Sequence, residues 1–333
     1  MNKAFIGIDV CCKKGKRLPV SICTWQQGRL IPEALKKLPF APPRGHGNAA
    51  VMNGRLVEEF VRGAEHYIVD ACQALNLTPQ RIAIDAPSRP RNESQPRRAA
   101  ERAMDGAGIH CFTTPSAGEF KGIFDKVRAH LDGGGPENRI PHANQLWMVV
   151  GFRLFQVLKE VAECIEVFPQ AIARVVGAGE VHKFKHGGVE AQLAAAAAHT
   201  GWPGGSPDEP EFQDIAYAPA HDRLDAYLSA WVAALDESDR IAFGEPPDDV
   251  IWVPRIERWK PPVAIPESRP RRSRSATKPV RHTARESRPC PACGYVFKRW
   301  PFGWDSHAAH KCGGLESSDP ESRKAEFRRK YLQ

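Results

Sequence analysis

The sequence predicts an α/β fold, a mixed sheet flanked by helices, with a small C-terminal ββα module that binds zinc. Three observations lead there. Short apolar strands alternate with amphipathic helices after an opening hairpin; the composition changes abruptly near residue 255; and Cys290, Cys293, His307 and Cys312 fall at metal-ligand spacing. At 333 residues, with 42% hydrophobic and 26% charged residues, the chain is long enough for a large domain with an appendage. That composition excludes a chain disordered throughout, a coiled coil and a collagen-like fibre.

Taken in order, Lys3 to Val10 reads as a buried strand, and Leu18 to Trp25 returns as its hairpin partner after the basic turn Lys13 to Lys16. Val51 to Leu75 has helical periodicity, with Val57, Phe60, Val61, Ala64, Ile68 and Ala71 on one face. Arg81 to Asp85 is a short strand stopped by Pro87, and Ala99 to Gly106 a helix on an Arg-rich segment. Gln145 to Ala162 is a long helix, Cys164 to Phe168 a strand stopped by Pro169, and Val189 to His199 a short Ala-rich helix. Asp222 to Leu235 is a further helix, and Ile251 to Pro254 the last strand of the domain. The most apolar stretch, Leu146 to Phe168, carries five charges, so no spanning helix is expected. The N-terminal apolar segment is too short for a signal peptide, and the protein is expected to be soluble and cytoplasmic, with no membrane partner.

Charge is unevenly distributed. From Arg255 onward there are 19 Lys/Arg against 8 Asp/Glu, whereas residues 1–254 hold 28 against 31. A basic last quarter on a slightly acidic body points to a polyanionic partner, DNA or RNA. The expected organisation is a domain over 1–255, a disordered basic Pro/Arg/Ser linker over 256–289, a zinc finger over 290–315 and a polar, basic tail over 316–333.

Five acidic residues stand where apolar elements disfavour them. Asp9 lies in F-I-G-I-D-V, Asp85 closes I-A-I-D-A-P, Glu166 lies in I-E-V-F-P, and Asp222 and Asp225 share a helix face. A carboxylate beside an apolar sheet is costly unless paired or bound to a cation. Converging carboxylates are what Mg²⁺ or Mn²⁺ takes, and two such ions can clamp a phosphoryl displacement. Each acid also has a plainer role: Asp85 as a turn cap, Asp222 as an N-cap, Glu166 paired with Arg174 or another basic neighbour. Asp9 has the fewest alternatives. First strand, later strand and last helix together form the arrangement of the ribonuclease H-like fold.

On these motifs the chain resembles the family known as domain of unknown function 429, predicted nucleases of the ribonuclease H-like superfamily. The resemblance rests on G-I-D at Gly7 to Asp9, I-D-A-P at Ile84 to Pro87 and R-A-A-E-R at Arg98 to Arg102. It continues through E-V-F-P at Glu166 to Pro169, D-R-L-D-A at Asp222 to Ala226, A-F-G at Ala242 to Gly244 and I-W-V-P at Ile251 to Pro254. It implies a metal-dependent nuclease site with Asp9, Asp85, Asp222 and Asp225 near the metals, and Glu166 as a further catalytic candidate. Asp9 is expected to bridge two Mg²⁺ or Mn²⁺ ions, with Asp85 and Asp222 or Asp225 holding one each. Lys13, Lys14, Lys16, Arg97, Arg98 and Arg102 are expected to position phosphates without reading bases, and His221 stands beside the Asp pair. The alternative is a catalytically silent nucleic-acid- or protein-binding adaptor that retains the fold. A homodimer remains open.

The C-terminal signal is more specific. C-x-x-C, a thirteen-residue spacer and H-x-x-x-x-C fit one structural Zn²⁺, with Phe297 and Trp304 at the apolar positions of a ββα finger. His310 is the alternative fourth ligand. Trp304, Asp305, Ser306 and Ala308 around His307 supply few base-reading groups, so the finger is expected to dock non-specifically on nucleic acid or to contact a protein.

Overall fold

The computed structural model describes residues 1–178, 182–203, 210–257 and, near the C-terminus, 288–290, 292–293, 296–297, 307–308, 312–313, 315–316 and 318–331. The chain divides into two units, 1–264 and 265–333. The linker expected over 256–289 falls almost wholly outside the described residues, as do Trp304 and His310.

The first unit is built on a five-stranded mixed sheet of order β3-β2-β1-β4-β5. Its strands are β1 (Asn2–Asp9), β2 (Val20–Gln26), β3 (Arg29–Pro32), β4 (Leu77–Asp85) and β5 (Glu163–Glu166). β1 pairs antiparallel with β2 and parallel with β4, and β4 pairs parallel with β5. The expected hairpin is therefore present and extends into β3, which the turn at Gln27 and Gly28 makes possible; both have positive φ. The crossover from β1 to β4 carries α1 (Gly54–Ala74), capped by the Asn53 side chain on the Arg55 and Leu56 amides.

Helices cover both faces. On one side α1 and α4 (Ala143–Leu158) bury Ile6, Ile8, Ile82 and Ile84 with Phe60, Ile68 and Leu154. α3 (Ala117–Asp132) joins this layer through Phe120, Ile123 and Val127. α3 is absent from the sequence reading, although Ser116 and Glu119 form a capping box: Glu119 N donates to Ser116 Oγ at 3.2 Å and Ser116 N to the Glu119 carboxylate at 2.8 Å. On the other side α8 (Ala220–Ala233) lies across β1, β2 and β4, buried from Arg223 to Ala233. α2 (Ala99–Gly106), α5 (Pro169–Val175), α6 (Gly188–Thr200) and α7 (Pro210–Asp214) belong to the first unit too. Pro169, expected to end a strand, also opens α5, where its missing N–H costs nothing. A second hairpin, β6 (Arg240–Glu245) and β7 (Asp249–Pro254), closes the unit.

Gly7 lets α8 sit against β1. A Cβ there would lie 2.0 Å from Ala226 O and 2.3 Å from Ala230 N, so any side chain drives the helix off the strand. Gly7→Ala is expected to cost about 3 kcal/mol, the upper end for overpacking. Urea denaturation of the two proteins checks this, and equal midpoints would refute the close contact.

Candidate functional site

Strand phase brings the acids together. Side chains alternate along a strand, and parallel partners point the same way. Asp9 registers opposite Asp85, while the core clusters put Ile6, Ile8, Ile82 and Ile84 on the α1 and α4 face. The alternate positions, among them Gly7, Asp9, Ala83 and Asp85, thus face α8. α8 brings Asp225 to the same point: one carboxylate oxygen from each of Asp9, Asp85 and Asp225 lies within 4.8 Å of the others. Ser229 Oγ donates to the Asp225 carbonyl at 2.8 Å and fixes that turn of the helix.

Asp222 stands one turn earlier and half-exposed, with its Oδ1 3.1 Å from His221 Nε2. It is close enough to Asp9 to raise that carboxyl's pKa, though it is not one of the three converging ligands. Poor solvation, then Asp85 and Asp222, hold the Asp9 pKa well above the usual carboxylate range. Burial likewise raises Asp85 to about 7, with Lys183 opposing the shift and Glu166 adding to it. Burial lowers the His221 pKa and so favours the neutral ring.

Lys183, which the sequence reading did not single out, is the cation of this cluster. Its Nζ donates to Asp225 Oδ2, and its side chain is 17% exposed. Phe184, edge-on to the His221 ring at 4.7 Å, ties this segment to the start of α8. The K-F-K-H run has neither strand nor helix periodicity, so nothing local marks Lys183.

Glu166 does not join the triad. It registers with Ile84, one residue out of phase with Asp85. Its two oxygens instead accept from Arg98 NH1 and NH2, each at 2.8 Å, and Ser88 N adds a third bond at 3.0 Å. This corrects the expectation for Arg98 as well, since that side chain is 3% exposed and cannot meet a phosphate. Arg98 Nε also donates to Asp249 Oδ1 at 2.9 Å, and Asp249 Oδ2 accepts from Ala99 N at 2.7 Å, so Asp249 caps α2 from β7. Arg97 is engaged too, with Asp105 at 2.7 Å and Glu101 at 3.4 Å. Arg102 donates to the Arg97 carbonyl. Lys13 and Lys14 are exposed, Lys14 lying 3.7 Å from Glu137, and Lys16 is half-buried. Burial raises the Cys12 thiol to about 11 and the Cys11 thiol in the same direction, which disfavours thiolate chemistry here.

In the second unit, Cys290, Cys293, His307 and Cys312 bring four ligand atoms within 4.8 Å of one another. Cys290 Sγ lies 3.7 Å from Cys312 Sγ, and Cys293 Sγ 3.2 Å from His307 Nε2. Tetrahedral Zn²⁺ with Zn–S bonds of about 2.3 Å has S···S edges of roughly 3.8 Å, so the donor set and its spacing suit that ion. β8 (Arg288–Pro289) and β9 (Val296–Phe297) pair antiparallel beside it. The polar tail expected over 316–333 is largely helical: α9 (Pro320–Tyr331) buries Phe327 with Leu315, Ala308, Cys290 and Cys312. Arg323 Nε donates to the Ala308 carbonyl at 3.0 Å and so fastens the helix to the cluster.

Two measurements follow. Cobalt added to the metal-free protein is expected to give the absorption of a tetrahedral thiolate site, and Cys293→Ser to weaken that binding at least about tenfold; an octahedral spectrum would exclude the cluster. For the triad, the pKa values of Asp9 and Asp85 are higher folded than unfolded, so the folded state binds more protons between the two values. Stability of the metal-free protein should therefore fall as pH rises from about 4 to about 7. A divalent cation competes with those protons, so Mg²⁺ should raise the melting temperature more at about pH 8 than at about pH 5. An equal shift at both pH values would count against the triad as a metal centre.

Among the described residues, no helix is long and apolar enough to cross a membrane. No curated protein and no solved structure matched the chain. A family model does match, over residues 44–249; that span is more than half the chain and holds Asp85, Asp222 and Asp225, while Asp9 precedes it. The chain belongs to the family described as protein of unknown function, DUF429.

Proposed function

We propose that the protein is a divalent-metal-dependent nuclease that hydrolyses phosphodiester bonds of DNA or RNA. The observation that carries this reading is the convergence of Asp9, Asp85 and Asp225 from two parallel strands and one helix. The sheet order, with β3, β2 and β1 paired antiparallel in turn and β1, β4 and β5 paired parallel, supports a ribonuclease H-like fold. Three hard oxygen ligands in a poorly solvated site suit Mg²⁺ or Mn²⁺.

Asp9, Asp85 and Asp225 would hold one ion, and Asp222 would contribute to holding a second. When bound, the ions lower the pKa of an attacking water and stabilise the leaving oxygen. The protein's own groups do the rest. Lys183 offsets part of the charge of the triad and, once a cation takes its place on Asp225, would bind a phosphate oxygen. Neutral His221, held by Asp222, is able to accept a proton. The basic linker and the zinc module assist binding through non-specific phosphate contacts.

Labelled single-stranded, duplex, hybrid and branched substrates would identify what is cut. Cleavage should vanish in EDTA, return with Mg²⁺ or Mn²⁺, and fall on the order of 10²–10³-fold in Asp9→Asn. Absence of cleavage on every substrate would sink the proposal.

One observation favours a second reading, that of an adaptor that keeps the fold without the chemistry: Lys183 already pairs with Asp225. On that reading Mg²⁺ binds Lys183→Met and not the wild type. The nuclease reading expects both to bind, the variant more tightly.

A further inference from the structure

We propose that the cavity beside Asp222 is a phosphate subsite, holding a backbone phosphate of a nucleic-acid strand that neighbours the phosphate at the acid triad. The proposal rests on the nuclease reading for its substrate class, but its geometry is independent of metal. The cavity, of about 330 Å³, is lined by Lys16, Arg17, Lys36 and Arg44, with Tyr217 and Asp222 completing its wall.

Three segments distant in sequence supply those cations, and backbone bonds knit two of them together. Gly15 N donates to Gly45 O at 2.8 Å, and Gly45 N to Lys16 O at 2.7 Å. A Cβ on Gly45 would lie 2.5 Å from the Cys12 carbonyl, so the chains touch with no side chain between them. Arg17 NH1 donates to Pro42 O at 2.7 Å and the guanidinium lies 5.3 Å from the Tyr217 ring centroid. Arg44 NH1 donates to Gly15 O at 2.7 Å. Each guanidinium is thus aimed by one N–H, and further donors remain to meet an anion.

Among the described residues none of the four cations forms an ion pair; nearby, Asp214 pairs with Lys37 at 3.6 Å and Asp222 with His221 at 3.1 Å. The Lys36 pKa is lowered by burial and then by Arg223, with Asp214 opposing the shift. Arg223 itself is buried, and its Nε has no hydrogen-bond partner. A fixed concave set of unpaired cations is costly by itself and is relieved by a multivalent oxyanion, to which guanidinium forks are matched. The neighbouring triad repels anions until it is neutralised. A row of cations that reaches Asp222 would lead a phosphate backbone to it.

The test is binding of a fluorescent single-stranded oligonucleotide to the full chain in EDTA, which separates the subsite from hydrolysis. Lys16→Gln/Lys36→Gln alters the two cations with no hydrogen bond to the scaffold, and Lys121→Gln on exposed α3 is the control. The double variant is expected to bind about tenfold more weakly, with a salt dependence shallower by about one phosphate's share, roughly 0.7 in log–log slope. The control should match wild type, and melting curves would verify that all three fold. Equal affinity and slope for wild type and double variant, including no binding by either, would overturn the subsite. So would a mononucleotide that competes as well as the oligonucleotide. Loss of cleavage with the cation-dependent binding intact would sink the nuclease reading and leave the subsite standing.

Discussion

The approach of α8 to β1 at Gly7 is the contact on which the site depends. Helix and strand axes come closer than any side chain between them would permit. Asp225 sits one residue before the carbonyl that touches Gly7, so the contact that packs the core also sets the third carboxylate. Structure and candidate chemistry are therefore not separable at this point. A change that loosens the packing also spreads the ligands.

Around that contact, two buried ionic arrangements divide the work. The triad with Lys183 is electrostatically frustrated, since its carboxyls are pushed toward the neutral form and one lysine does not compensate three acids. The Arg98 network is the opposite case: one guanidinium meets two carboxylates and every contact is near ideal length. Such a satisfied network fixes the β6–β7 hairpin and α2 beside the sheet. Glu166 and Asp85 illustrate how one residue of strand phase separates a structural carboxylate from a candidate ligand.

Much of this was legible in the sequence, and the reasons are physical. Strands β1 and β4, helices α1, α2 and α8, and the zinc ligands carry local signals: apolar runs, a 3.6-residue period, fixed ligand spacing. Asp9, Asp85 and Asp225 stood out because charge is costly beside an apolar sheet. What was missed depends on partners distant in the chain. Lys183 lies 42 residues from Asp225 and in no periodic element. Arg98 and Glu166 looked like surface cation and candidate ligand because nothing local reveals a bond spanning 68 residues. Phe327 gave a polar segment its buried side chain, and a single aromatic in a charged helix is a faint signal.

The ladder between β1 and β4 contains one irregularity with a consequence for descent and design. Ala4 registers with Pro79 but Phe5 with Arg81, so Gln80 is an extra residue in β4. Were Gln80 paired with Phe5 instead of bulged, Asp9 would stand opposite Ile84, and Asp85 would point to the opposite face of the sheet. While Arg81 keeps its place opposite Phe5, a residue gained or lost between Arg81 and Asp85 turns Asp85 away from Asp9, whereas loss of Gln80 itself only makes the ladder regular. The quantity to preserve is therefore the equal count of residues from Phe5 to Asp9 and from Arg81 to Asp85, and not the distance between the two aspartates along the chain.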